Sequence, residues 1–525
     1  MIDLANSWSA DCLLKHRECS ENATAKLPTR VLDLGCKSEE TDLYLFVPAE
    51  ITGHSKSSDT RYVALSYCWG TIDSSFVTTT SANLHERKNK IAYSSLPKTI
   101  QDAIIITRKL GLRYLWVDAL CILQGSDDFA KADWARESSR MAEVYGNSFL
   151  TIAAASGTNI HSGILVKRPD LYDLKLQLVS ESRPDLNCVI YLGPEHRFIN
   201  AKDEPLYTRG WTLQERILSP RVLIFNRDQL EWECQCHHVT ESGYKTEPHS
   251  RMNKAGAQWS IDMNEDNATS GYSNIVADRW RRIVEDYLGR SLTNPGDKLP
   301  ALSGLARAFA TFHNGCGGTY LAGLWQHNIS YGLMWYREFD DGDMKAKPSA
   351  ATEYIAPSWS FMAVNGSVKW VDKHHRRFVT PHSQLLDFCI ELSGDDPFGS
   401  VTGGSLTIRG RLQRLDRLVF ESVIRQYTPR RAIAHNGHRF NTIKLQGVYL
   451  DFPLPLEEYT WKSETTKSSE FWILHYPTAY LIMELVPDKI INGLRVFKRI
   501  GITWSLNVTE GDIWRDCWVE DIVLI

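Results

Sequence analysis

The chain has no apolar run approaching the ~20 residues a helix needs to span a bilayer, so no membrane span is expected. It has no excess of either charge: 59 basic residues stand against 63 acidic ones, a net of −4. That balance removes any bulk electrostatic drive toward nucleic acid or an anionic membrane. The opening residues, from Met1 to Asn6, lack both a basic leader and an apolar core, so no signal peptide is expected. The Asn-x-Ser/Thr triplets at Asn22, Asn267, Asn328, Asn365 and Asn507 therefore carry little weight, and the cytoplasm is the expected compartment. The eleven cysteines are an odd number and lack the dense spacing of a secreted disulfide scaffold. There is no internal repeat of fixed period, no low-complexity tract and no glycine-rich phosphate loop.

Aromatic residues are plentiful at 11%, with 17 tryptophans, which favours large cores over disorder. At 525 residues the chain is too long for one ordinary core. Residues 1–60 read as a leader region with two strands, Leu27–Gly35 and Leu43–Val47, suited to a hairpin. Residues 61–240 read as an α/β domain. Tyr62–Tyr67 is an apolar strand, and Gly70 turns the chain out of it. A helix follows, with Pro97 in its first turn, Ile100, Ala103, Ile104, Thr107 and Leu110 on one face, and Gly111 at its end. Tyr114–Val117 is a second buried strand. A helix carrying Met141, Val144 and Tyr145 leads to a third strand, Phe149–Ala155. Strands alternating with helices imply a parallel sheet with right-handed crossovers. Trp211–Leu218 reads as a short helix, and Arg221–Phe225 and Gln229–Cys234 as an antiparallel pair. Residues 241–355 read as a helical region, with helices at Asn274–Leu288 and from Asp297, extended by Tyr320–Trp325 and Leu333–Tyr336. Short alternating runs make residues 356–525 a β-rich region.

In open α/β sheets the working residues gather at the carboxyl ends of the strands. Asp118, Cys121, Gln124 and Glu137 fall at or near such an end. Taken singly, Asp118 also suits a loop cap and Cys121 a core thiol. Two groups have metal-ligand residue types. Cys12, His16 and Cys19 lack a nearby second pair except Cys36, and packed thiols on a short helix are expected there. Cys234, Cys236, His237 and His238 form the other group, but neighbouring histidines on a strand point apart. No metal is expected at either.

Three segments resemble the fungal heterokaryon-incompatibility (HET) domain: Tyr62–Gly70; Leu115–Gln124 with Met141–Tyr145 behind it; and Arg209–Glu215. Together they cover about a third of the chain, and Asp297–Gly304, Tyr320–Trp325 and Ala356–Ser360 look like what commonly follows that domain. The resemblance implies non-self recognition and regulated cell death. It implies, more distantly, a flavodoxin-like or Toll/interleukin-1-receptor-like fold, some members of which hydrolyse NAD.

Two working modes follow. In a signalling module the domain self-associates or docks a protein partner, Asp118 organises its loop, and Gln214 and Glu215 tie the third segment to the sheet. In an NAD-cleaving enzyme, Asp118 and Glu137 are the catalytic carboxylates, because a cationic sugar needs one nearby. Trp69 or Trp134 would then stack on a base, Gly70 would admit a phosphate, and Arg209 would neutralise it. Trp134 and Trp211 suit a core equally. An accessory role with Cys121 as nucleophile is the third possibility, with His85 and His161 in the same domain. NAD is thus a candidate substrate and no cofactor is otherwise expected.

Overall fold

A strand buried on both faces is apolar along its whole length. Residues 62–66 are all buried, and they form the middle of the main sheet. The computed structural model describes residues 1–16, 19, 26–35, 42–50, 60–71, 77–168, 174–178, 188–192, 204–243, 245–246, 271–312, 317–337, 354–370, 383–415, 417–421, 430–435, 442–450, 470–475, 480–507 and 518–525. The chain divides into two compact units, Met1–Asp262 and Met263–Ile525. Cys36 and the polar stretch 247–270 lie outside the described residues.

The strands of the first unit, in chain order, are β1 (Val31–Asp33), β2 (Asp42–Phe46), β3 (Tyr62–Ser66), β4 (Ile91–Ala92), β5 (Tyr114–Trp116), β6 (Leu150–Ala153), β7 (Leu174–Leu178), β8 (Cys188–Leu192), β9 (Arg221–Phe225), β10 (Leu230–Cys234), β11 (His238–Thr240) and β12 (Lys245–Thr246). β7 and β8 pair with each other; the rest make a ten-stranded sheet in the order β12-β11-β10-β9-β6-β3-β5-β1-β2-β4. The centre, β5-β3-β6-β9, is parallel. Antiparallel strands flank it on both sides. The expected hairpin exists, with Val31 opposite Phe46, but β1 also pairs with β5. A boundary at residue 61 therefore falls inside this unit.

The helices are α1 (Ile2–Lys15), α2 (Leu84–Asn89), α3 (Lys98–Lys109), α4 (Asp118–Cys121), α5 (Asp128–Ser138), α6 (Met141–Gly146) and α7 (Trp211–Leu218). α3 buries Ile100, Ala103, Ile104 and Thr107 as its periodicity predicts. Gly111, at φ +74°, takes the left-handed backbone that ends it. The helix expected before β6 is broken in two. The Ser138 and Ser139 hydroxyls bond back to the carbonyls of Ala135 and Arg136, and Arg140 leaves helical geometry. Short hydroxyl side chains compete with the helical ladder in this way.

β3 runs through α3 to β5 on one side, while β6 runs through α7 to β9 on the other. The loops after the neighbouring strands β3 and β6 thus leave in opposite directions. Such a switch point opens a crevice outside the strands' carboxyl ends.

The second unit opens with α8 (Gly271–Leu288) and α9 (Pro300–Phe312). Tyr320–Trp325, expected to be helical, is instead a hairpin of β13 (Tyr320–Leu321) and β14 (Leu324–Trp325). Its turn needs φ +43° at Ala322 and +105° at Gly323, which no helix permits. Trp335, expected in the same helical block, lies in strand β15 (Trp335–Arg337), which pairs with β16 (Val368–Trp370). Trp280 packs against Phe309, Tyr320 and Trp325 and donates its indole N–H to the Gly323 carbonyl. The β-rich region forms a nine-stranded sheet, almost wholly antiparallel, from residues 383–524. Among the described residues, no helix is long and apolar enough to cross a membrane.

Candidate functional site

Four of the sequence-selected residues meet at the switch point. Asp118 begins α4 directly after β5. Its carboxylate accepts the Trp69 indole N–H at 2.9 Å and the Ala119 backbone N–H at 2.7 Å. Trp69 comes from the segment after β3 and packs, half-buried, against the main core. Arg209 approaches from before α7 and donates to the Tyr67 carbonyl at 3.4 Å. Glu215, in α7, is buried and accepts the Ser66 hydroxyl at 2.5 Å.

The electrostatics tie these groups together. Burial raises Asp118 above the usual carboxylate range, opposed by the Ala119 N–H, the Arg209 charge, Tyr67 and Trp69. Burial pushes Glu215 up to about 7; Asp118 pushes the same way, while Ser66 and Arg209 oppose. Both buried carboxyl groups feel the Arg209 guanidinium, and Glu215 also feels the Asp118 charge. Tyr67 is buried beside Asp118, and burial first, then the Asp118 charge, lifts its ionisation well above that of an ordinary tyrosine. Its hydroxyl has no hydrogen bond of normal geometry among the described residues. Among the described residues neither atom of the Gln214 side-chain amide has a partner either, although the residue is only 1% exposed. Buried polar atoms left unpaired are costly, and they mark places where a ligand or water is wanted.

The other selected residues have different partners. Glu137 is buried in α5 and belongs to a second network, paired with Arg136 at 3.2 Å. In the same network Asp133 takes Arg30 at 2.5 Å and the Leu123 N–H at 2.9 Å. Trp134, on the same helix, is 37% exposed, so it is not a core residue. Trp211 packs half-buried on the main core. Gln124 spends its backbone N–H on Thr79 and its amide on Ile122, and so secures the loop. Cys121 is 1% exposed, and burial pushes its thiol up to about 12. Both features work against a nucleophilic Cys121, since a reactive cysteine must be a reachable thiolate.

Gly70 has a packing role. Its φ is +73°, and an added Cβ would lie 2.3 Å from Cβ of Asn159. No other residue fits without moving that loop. Sequence reading passed over Tyr67 and Ser66 as site residues, although both lie in a quoted segment. Ser66 ends β3 and Tyr67 directly follows it, at the strand's carboxyl end, which was a usable signal.

Residues 62–215 match the family model described as Heterokaryon incompatibility protein (HET). The match opens on the first residue of β3 and closes on Glu215, so it spans the parallel strands β3, β5 and β6 and the whole polar cluster, with β9 just beyond it. No curated protein and no solved structure matches the chain.

Proposed function

We propose that this chain, whose residues 62–215 are a heterokaryon-incompatibility domain, serves in non-self recognition and regulated cell death, with the polar cluster as its working centre. The observation that carries this reading is two buried carboxyl groups, Asp118 held by Trp69 and the Ala119 N–H and Glu215 held by Ser66, both raised by burial. Desolvating two acids in one crevice costs stability that apolar residues of the same volume would not. Groups so perturbed, set at a switch point, fit a function better than a scaffold.

Expression of the full chain in a filamentous fungus should kill or arrest the cells. Asp118→Asn and Glu215→Gln should each reduce killing at least about tenfold at equal protein level, as loss of a positioned carboxylate does. Circular dichroism should show both variants folded. Undiminished killing by both variants would reduce the cluster to a structural role.

The same pair supports a second reading, cleavage of the nicotinamide–ribose bond of NAD. Nicotinamide leaves as a neutral ring, so its departure needs no proton. The ribosyl cation needs a nearby carboxylate, and Asp118 would supply it, while Glu215 would take a proton from the incoming water. Purified protein incubated with NAD and followed by chromatography tests this. Killing without any NAD loss at high protein concentration leaves self-association or partner docking as the output.

A further inference from the structure

The two cysteine–histidine groups that sequence reading set aside separately meet in the fold. Cys12 and His16 are four residues apart, so they share one side at the end of α1. His16 leaves helical geometry at φ −115°, and the chain turns so that the Cys19 N–H bonds the His16 carbonyl at 3.2 Å. Cys234 closes β10, against which α1 packs. One ligating atom from each of Cys12, His16, Cys19 and Cys234 lies within 4.8 Å of all the others.

We propose that these four residues bind a structural zinc ion, tetrahedral, with three thiolates and one imidazole. Zinc bonds of ~2.3 Å to sulfur and ~2.0 Å to nitrogen place tetrahedral neighbours about 3.5–3.8 Å apart. The Cys234 sulfur and His16 Nδ1 are 3.5 Å apart. The three sulfurs are buried, at 1%, 1% and 2% exposure for Cys12, Cys19 and Cys234. Four protein ligands in a closed site leave no place for substrate, which is the structural type of zinc centre.

The surroundings are built to match. The His237 backbone N–H donates to the Cys234 sulfur at 3.3 Å, and the Cys234 N–H to the His237 carbonyl at 2.8 Å. Amide donors onto a ligating sulfur steady a thiolate. The His237 ring packs edge-on against His16 with centroids 4.4 Å apart, fixing the imidazole. Arg221 donates to the Cys19 carbonyl and also to that of Phe149, tying the turn to the sheet. Cys236 stands beside Cys19, with the sulfurs 3.9 Å apart, and is the half-buried outer thiol of the group. None of these cysteines is in a disulfide among the described residues, and 3.9 Å is far beyond the ~2.05 Å of such a bond. None of the four ligands lies within the matched residues 62–215. Zinc would therefore clip the chain's first helix to a strand beyond the matched segment.

The test is metal analysis of the full chain, purified without chelator and without an affinity tag that binds metal. One zinc per chain is expected. X-ray absorption at the zinc edge should give three sulfurs at ~2.3 Å and one nitrogen at ~2.0 Å. Cobalt replacing zinc should show the visible bands of a tetrahedral thiolate site. Cys12→Ser and Cys234→Ser should each lose most of the metal, while Cys236→Ser and Cys389→Ser should keep it. Zinc well below one per chain, together with no tetrahedral cobalt spectrum, overturns the site without recourse to variants. Zinc kept in His16→Ala but lost in Cys236→Ser overturns the ligand set.

Discussion

Replacing Glu215 by glutamine should make the first unit more stable at pH 8 and leave it nearly unchanged at pH 4.5. Glu215 is raised from roughly 4.5 to about 7 in the folded chain, mainly because burial penalises its charge. Between those values the folded state holds more protons than the unfolded state. Stability therefore falls as pH rises through that window. Below it the side chain is neutral in both states and nothing is lost. Above it the whole shift is felt, about 3 kcal/mol for a group this buried. Glutamine never ionises, and its carbonyl can still accept the Ser66 hydroxyl.

Urea unfolding at several pH values checks this, with a signal confined to the first unit because a chain of two units need not unfold in one step. Wild type should lose stability from pH 5 to 8, and Glu215→Gln should lose much less. Equal slopes would show that Glu215 is not desolvated in the folded protein. Asp118 is raised in the same direction and contributes to the Glu215 shift. Asp118→Asn should therefore flatten the slope too, and the two effects should not add. A variant that gains stability while losing lethality is the behaviour of a residue kept for function.

Arg30→Ala should cost the first unit about 3–5 kcal/mol, since it breaks a buried ion pair from one side. Arg30 is 7% exposed, and its partner Asp133 is 2% exposed. Arg30 also donates to the Cys121 carbonyl at 2.6 Å. Its loss strands both acceptors, while Arg136, half-exposed, compensates Asp133 only in part. The same pair anchors the turn behind Asp118, so killing activity should fall along with stability. Arg30→Met combined with Asp133→Leu should recover part of the loss, because the charges then leave together. Recovery stays incomplete, since the Leu123 N–H loses its acceptor. Denaturant unfolding reads both variants. A cost below about 1 kcal/mol for Arg30→Ala would mean that water already reaches the pair.

The elements legible in the sequence were those whose signals are local. β3 and β5 are continuous apolar runs, α3 has its apolar face and terminal glycine, and α7 is observed at Trp211–Leu218 as read. The partner of Asp118 was not legible. Glu137 is the nearer acid along the chain, and nothing in its spacing shows that Arg136 captures it. Glu215 lies in the third segment, and only the β3–β6 switch point brings it beside Asp118. The same limit hid the metal ligands, because strand order rather than proximity in sequence sets Cys234 against α1. Tyr320–Trp325 misled for another reason. A short aromatic run has no decisive period, and the turn at Ala322 and Gly323 shows itself only in backbone angles.

The outermost strands of the first unit's sheet carry a last consequence. β4 and β12, which end the described sheet, are two residues long each. A rim so short offers another chain almost no ladder to extend. If copies of this protein gather to trigger death, amyloid-like templating through this sheet is a poor route, and contacts through helices and loops are the better one.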